Sequence, residues 1–142
     1  MLNRRTAKVI TVCASASFYE RIPLIEQVLT KRGHKVLMPS MTNYHGLPED
    51  ELAKIHFDLI KEHFRNIDES DAIYVANYDK RGIAGYIGGN CFLEIGKAFD
   101  RGIPIFLMQD IPKTIGYREE LLAMRPILIG ANWELMEKEL SK

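Results

Sequence analysis

Residues 71–96 read Asp-Ala-Ile-Tyr-Val-Ala-Asn-Tyr-Asp-Lys-Arg-Gly-Ile-Ala-Gly-Tyr-Ile-Gly-Gly-Asn-Cys-Phe-Leu-Glu-Ile-Gly. The run Ala72-Ile73-Tyr74-Val75-Ala76 is short, apolar and rich in β-branched and aromatic residues, the composition of a buried strand. Beyond the glycines, Phe92, Ile95, Ala98 and Phe99 recur at helical spacing as far as a stop at Gly102. The stretch therefore reads as strand, glycine-rich loop and helix, with Asn90 as the expected N-cap. Glycine lets the backbone approach a ligand closely, and a helix N-terminus presents unpaired N–H groups. Gly88, Gly89 and Asn90 are accordingly read as a ligand-binding loop. Glu94, expected in or near the first turn, is read as a carboxylate aimed into a ligand crevice. Acidic residues also favour first turns because of the helix dipole, so position alone makes Glu94 a candidate rather than a catalyst.

Working outward, the same alternation repeats. Lys8–Cys13 is a strand, and Ala14-Ser15-Ala16-Ser17 is a small-residue turn whose hydroxyl and N–H groups suit phosphate or sugar. A tight strand-to-helix connection needs small residues in any case. Tyr19 and Arg21 lie just past it, within reach of the same crevice. Ile22–Arg32 reads as a helix ended by Gly33, Lys35–Met38 as a strand stopped by Pro39, and Ser40–Asp50 as an irregular loop holding Asn43, Tyr44 and His45. Glu51–Ile67 reads as the second helix. His56 and His63 share one face of it, but metal ligands on a helix favour i, i+4 spacing, so a solvated or packing role is expected for both.

Asp71 stands at the amino end of its strand and reads as a turn or cap residue. Asn77 and Asp79, at the carboxyl end, are expected on the ligand side. Ile103–Met108 and Pro126–Ile129 are two more strands, with helices expected around Tyr117–Met124 and Trp133–Leu140.

Five strands alternating with helices imply an α/β, single-domain, doubly wound (flavodoxin/Rossmann-like) parallel sheet of order 2-1-3-4-5 spanning residues 1–142. The switch point of that order lies between strands 1 and 3. The Ala14–Ser17 turn and the Gly85–Glu94 loop follow those two strands, so both converge on one crevice.

Composition narrows the function. Lys plus Arg and Asp plus Glu are 19 each, so no net basic field exists to hold nucleic acid. No apolar run has the length of a membrane span, and no signal-peptide core follows Met1-Leu2-Asn3-Arg4-Arg5. Cys13 and Cys91 form no metal-spaced cluster and read as reduced thiols, which suits a cytoplasmic protein. Cys91, near a helix start but with no histidine placed beside it by sequence, is not read as a nucleophile. Zero net charge favours a homo-oligomer that hides surface.

Taken together, Val-Cys-Ala-Ser after strand 1, Asp-Ala-Ile-Tyr-Val-Ala at strand 3, Gly-Gly-Asn-Cys-Phe-Leu-Glu-Ile-Gly-Lys-Ala and a Gly-x-Pro-Ile strand resemble the nucleoside 2-deoxyribosyltransferase-like superfamily. That superfamily includes the deoxynucleoside 5′-monophosphate N-glycosidases. The resemblance continues through Tyr117-Arg118-Glu119-Glu120 and Ala123-Met124-Arg125-Pro126. Its most specific part, Glu-Ile-Gly-Lys-Ala, matches the family's Glu-x-Gly-x-Ala and implies that Glu94 is the nucleophile. A weaker resemblance, in the outline Gly-Gly-x-x-x-x-Glu, is to the lysine-decarboxylase-like nucleotide phosphoribohydrolases and implies the same bond. The implied substrate is a small-molecule nucleoside or nucleotide, with no cofactor, and a neighbouring subunit often completes the site. The loop at Asp110–Tyr117 is the candidate for such a contribution.

This chain departs from the family pattern at three places. Thr11 stands where the family usually has tyrosine, His63 where it commonly has an acid, and Gly88 where it tends to have Asp or Ser. Tyr19, Asp79 and His63 are the candidates to substitute. The expected substrate-binding set is thus Ala14, Ser15, Tyr19, Asn77, Asp79, Gly88, Gly89 and Asn90, around Glu94. The rival expectation is a nucleotide-binding or sensing module that keeps the crevice without turnover. A flavodoxin-like or response-regulator-like interaction domain is disfavoured, since no acidic cluster follows strand 1. The enzyme reading requires that Glu94 not be spent on an ordinary salt bridge in the core.

Overall fold

The computed structural model describes residues 7–40 and 46–142. The first five residues and the loop positions Asn43, Tyr44 and His45 lie outside the described residues. Five strands, β1 (Val9–Cys13), β2 (Lys35–Leu37), β3 (Ala72–Val75), β4 (Ile105–Leu107) and β5 (Ile127–Leu128), form one parallel sheet in the order β2-β1-β3-β4-β5. The helices are α1 (Pro23–Lys31), α2 (Glu49–Asp68), α3 (Gly89–Arg101), α4 (Arg118–Ala123) and α5 (Trp133–Leu140). A short 3-10 turn, Ala16–Phe18, precedes α1.

The strand sequences explain the two covered faces. Successive side chains on a strand point to opposite sides. Ala72 and Tyr74 therefore join Ile10, Val12 and Phe106 beneath residues of α1 and α5, such as Leu29 and Met136. Ile73 and Val75 join Ile105 and Leu107 beneath Ile67 of α2, Ile95 and Ala98 of α3 and Leu121 of α4. With both faces buried, the strands are apolar throughout rather than alternating.

At the amino end of the sheet, Asp71 Oδ2 accepts from the Val9 N–H at 2.8 Å, and the Asp71 N–H donates to the Val9 carbonyl. This is the cap role expected for it.

The helix that matters most, α3, buries Ile95 and Ala98 as expected, but its stripe runs through Cys91 and Glu94 rather than through Phe99. Cys91, Glu94, Ile95 and Ala98 are its buried residues, at i, i+3, i+4 and i+7, whereas Phe99 is more than half exposed. The stripe includes a carboxylate, which an apolar-only count passes over. Gly102, in the left-handed region at φ 71°, ends the helix by donating to the carbonyls of Ala98 and Phe99.

Candidate functional site

A crevice of about 400 Å³ opens beyond the carboxyl ends of β1 and β3, at the point where the strand order reverses. Its volume is that of a site for a small molecule. Ala14, Ser15, Ala16 and Ser17 line it after β1, followed by Tyr19. Gly88, Gly89 and Asn90 line it at the start of α3, and Cys91 and Glu94 reach it from that helix's buried stripe. His56 and His63 enter from α2, and Lys80 and Tyr86 from the loop after β3.

The local backbone explains these placements. Gly88 is the N-cap, in extended conformation at φ −81° and ψ 177°, with no side-chain cap on the helix. A Cβ there would lie 3.2 Å from Tyr86 Cε1, so the missing side chain lets the Tyr86 ring settle against the loop. Lys80 and Ile83 exchange backbone hydrogen bonds around Arg81 (φ 54°) and Gly82 (φ 74°), a tight turn with two left-handed residues. The turn returns Lys80 to the crevice, where its Nζ donates to Ser15 Oγ at 3.2 Å and lies 5.1 Å from the centre of the Tyr86 ring.

The electrostatic centre is a pair. His63 Nδ1 lies 3.1 Å from Glu94 Oε1, with both side chains about nine-tenths buried. His63 Nε2 is buried without a hydrogen-bond partner. Burial works against the charged form of His63, but the hydrogen bond and charge of Glu94, with a smaller contribution from Glu62, outweigh it and raise its pKa. The thiols of Cys13 and Cys91 are pushed well up, first by burial and then by the Glu94 charge; Cys13 also hydrogen-bonds Glu94. Both thiols are thus held protonated, and Cys91 lacks the thiolate that a nucleophile needs.

Seven of the nine expected site residues come together here: Ala14, Ser15, Tyr19, Gly88, Gly89, Asn90 and Glu94. Asn77 and Asp79 do not line the crevice, and their side chains are engaged elsewhere. Asn77 Nδ2 donates to the carbonyls of Gly85 (3.2 Å) and Gln109 (2.9 Å), and its Oδ1 accepts from the Gln109 N–H at 2.9 Å. Asp79 Oδ1 accepts from the Gly85 N–H and from Gln109 Nε2, each at 3.0 Å. Those two bonds hold the Asp79 carboxyl below its usual pKa. Standing at the carboxyl end of β3 put both residues at the right end of the sheet, but the loops there need polar side chains to satisfy their own backbone.

Two positions on α3 also differ from expectation. Asn90 is the second helical residue rather than the N-cap. Glu94 is the sixth, a turn beyond the reach of the terminal dipole, so its partner is a side chain rather than the helix end. His63 was expected to be solvated or packed and is instead the partner of Glu94. Its only sequence signal was its position at the family's usual acid. Ser17 belongs to the turn expected here, and His56, expected to be solvated or packed, also lines the crevice; Lys80 and Tyr86 were not singled out, because the turn that brings them in leaves no motif.

Among the described residues no group of three or more His, Cys, Asp or Glu is placed to hold a metal ion. No described helix is long and apolar enough to cross a membrane. No family model matches the chain, and no curated protein matches it significantly.

Proposed function

We propose that the crevice cleaves or transfers the N-glycosidic bond of a nucleoside or nucleoside 5′-monophosphate, with Glu94 as the nucleophile. The observation that carries this reading is the setting of Glu94. It is a buried carboxylate on the wall of a small-molecule crevice, paired with a histidine of the same crevice rather than with Lys or Arg. An ordinary core salt bridge would have spent it. The resemblance carried by Gly-Gly-Asn-Cys-Phe-Leu-Glu-Ile-Gly-Lys-Ala supports the same assignment.

The chemistry suits the groups present. Loss of the base leaves an oxocarbenium-like sugar, and a carboxylate beside the anomeric carbon traps it as a glycosyl ester. Water then releases the sugar, or a second base takes it with overall retention. Ser15, Ser17 and Lys80 supply donors for sugar hydroxyls or a 5′-phosphate, and Tyr19 and Tyr86 supply flat surfaces for the base. The reading needs no cofactor, and it places the protein in the cytoplasm as a homo-oligomer acting on a small molecule.

Free-base release, followed by chromatography over a panel of nucleosides and nucleoside monophosphates, tests it. Wild type releases base and Glu94→Gln falls to the no-enzyme background. If wild type releases none while nucleotide binding survives Glu94→Gln, the crevice is a binding module and the enzyme reading is lost.

A further inference from the structure

A carboxylate nucleophile leaves one demand of N-glycosidic cleavage unmet. The departing base takes both electrons of the bond and needs a proton. We propose that His63 delivers that proton from Nε2, acting as an imidazolium that Glu94 first charges and then discharges. The proposal rests on the reading of Glu94 as the nucleophile.

Geometry singles out His63. One ring nitrogen is engaged by Glu94 at 3.1 Å, and the other is buried with no partner. A buried ring nitrogen left unsatisfied is costly, so its persistence calls for an explanation. The ring lines the crevice, and with Tyr19, Asn90 and Glu94 it also lines a small adjoining pocket of about 10 Å³, room for about one water. The titratable groups around it are Glu94 and Cys91 from α3, Cys13 from β1 behind Glu94, Tyr19, Lys80, and Glu62 and His56 from its own helix. Of these, the two carboxylates favour its protonated form, and its pKa is raised accordingly.

The pair gives the proton a reason to move at the right moment. In the resting state, Nδ1–H donates to the Glu94 carboxylate and Nε2–H is the spare proton. When a Glu94 oxygen bonds to the anomeric carbon, the carbon–nitrogen bond breaks and its electrons pass to the base. The carboxylate becomes an uncharged ester. The negative charge that held the imidazolium is then gone, so the Nε2 proton passes to the base, which leaves neutral. His63, now neutral, takes a proton from the attacking water as its oxygen bonds to the same carbon. The ester bond breaks, its electrons return to Glu94, and the restored charge again favours the imidazolium. One water is consumed, and free base and free sugar are formed.

A pair of substrates separates this from a structural role. An ordinary purine nucleoside needs a proton on its leaving group, whereas its N7-methyl cation departs as a neutral base without one. His63→Gln is expected to slow the ordinary substrate about 100-fold or more. It should slow the N7-methyl substrate by less than about 5-fold, while Glu94→Gln abolishes both. His63→Asp, which can hold a proton beside Glu94, regains part of the loss with its optimum at lower pH. Equal losses on the two substrates, or none on either, overturn the proposal. If wild type cleaves neither, the N-glycosidic reading falls and the role of His63 with it. An NMR titration of the imidazole supplies a readout independent of turnover. Glu94→Gln should move the His63 midpoint down, and an unmoved midpoint refutes charging by Glu94.

Discussion

Among the described residues two buried histidine–glutamate pairs stand out, one at each end of the sheet. His34, just before β2, accepts from the Lys8 N–H at Nδ1 (3.1 Å), and its Nε2 lies 2.5 Å from Glu137 Oε1 on α5. Arg32 backs this pair, donating to Glu134 at 2.8 Å. Both ring nitrogens are used, so the tautomer is fixed with the proton on Nε2, and the pair fastens α5 to the amino ends of β1 and β2. His63 and Glu94, at the carboxyl end, form the same kind of contact, but one ring nitrogen is left over. The His34 ring has no bond left to make, whereas the His63 ring faces a crevice with one nitrogen unused. In a parallel α/β sheet, the end at which a polar pair lies and the bonds it leaves unmade separate a fastening from a candidate reaction centre.

Three perturbations test that separation. The largest effect is expected where a closed cluster is given a charge. Asn77→Asp turns the donors facing the carbonyls of Gly85 and Gln109 into an acceptor-only carboxylate inside the fold. It should cost about 3 kcal/mol or more in urea unfolding. If stability is unchanged and only ligand binding is lost, Asn77 belongs to the site after all.

Next is a comparison of the pairs themselves. Glu137→Ala strips the buried His34 Nε2–H of its acceptor and should cost about 2 kcal/mol. Glu94→Ala, at the proposed nucleophile, also takes an acceptor from His63, but that ring lines the crevice, and the loss should be smaller, about 1 kcal/mol. Reversed magnitudes would make Glu94 the fastening.

The smallest effect is in pH dependence. His63 has its pKa raised above the unfolded value, so the native state binds more protons between the two values. Its contribution to stability is complete below the unfolded pKa of about 6.5 and is lost as pH rises through the raised one. The stability difference between wild type and His63→Gln should therefore shrink with rising pH across that window, read from urea midpoints at fixed ionic strength. A difference that grows instead contradicts the ion pair.

The sheet was legible in the sequence because parallel strands buried on both faces are written as short apolar runs, and turn residues separate them cleanly from the helices. All five strands lie within the stretches expected of them, with one or more terminal residues trimmed where pairing stops. The crevice was legible for a related reason, since strand order fixes where two loops must meet. Asn77 and Asp79 were assigned to it because position tells which end of the sheet a residue occupies. It does not tell whether its side chain is consumed by backbone. His63 was marked only by standing where the family commonly has an acid; on its own helix it is one polar residue among many, and its pairing with Glu94 shows only once α2 packs against α3. Lys80 depended on a turn with a left-handed non-glycine residue, Arg81, which residue type does not announce.

Asn77, Asp79 and Gln109 weld the loops after β3 and β4 into a single body. Gly85 lies between them at φ 68°, where a Cβ would stand only 2.5 Å from the Asp110 carbonyl oxygen. That weld adjoins the segment leading to Tyr86, Gly88 and Gly89. A ligand arriving at this wall meets donors and a ring held in place before it comes. Under the proposed function, little of the substrate's binding free energy would go into ordering them, and more would remain for what changes between ground state and transition state.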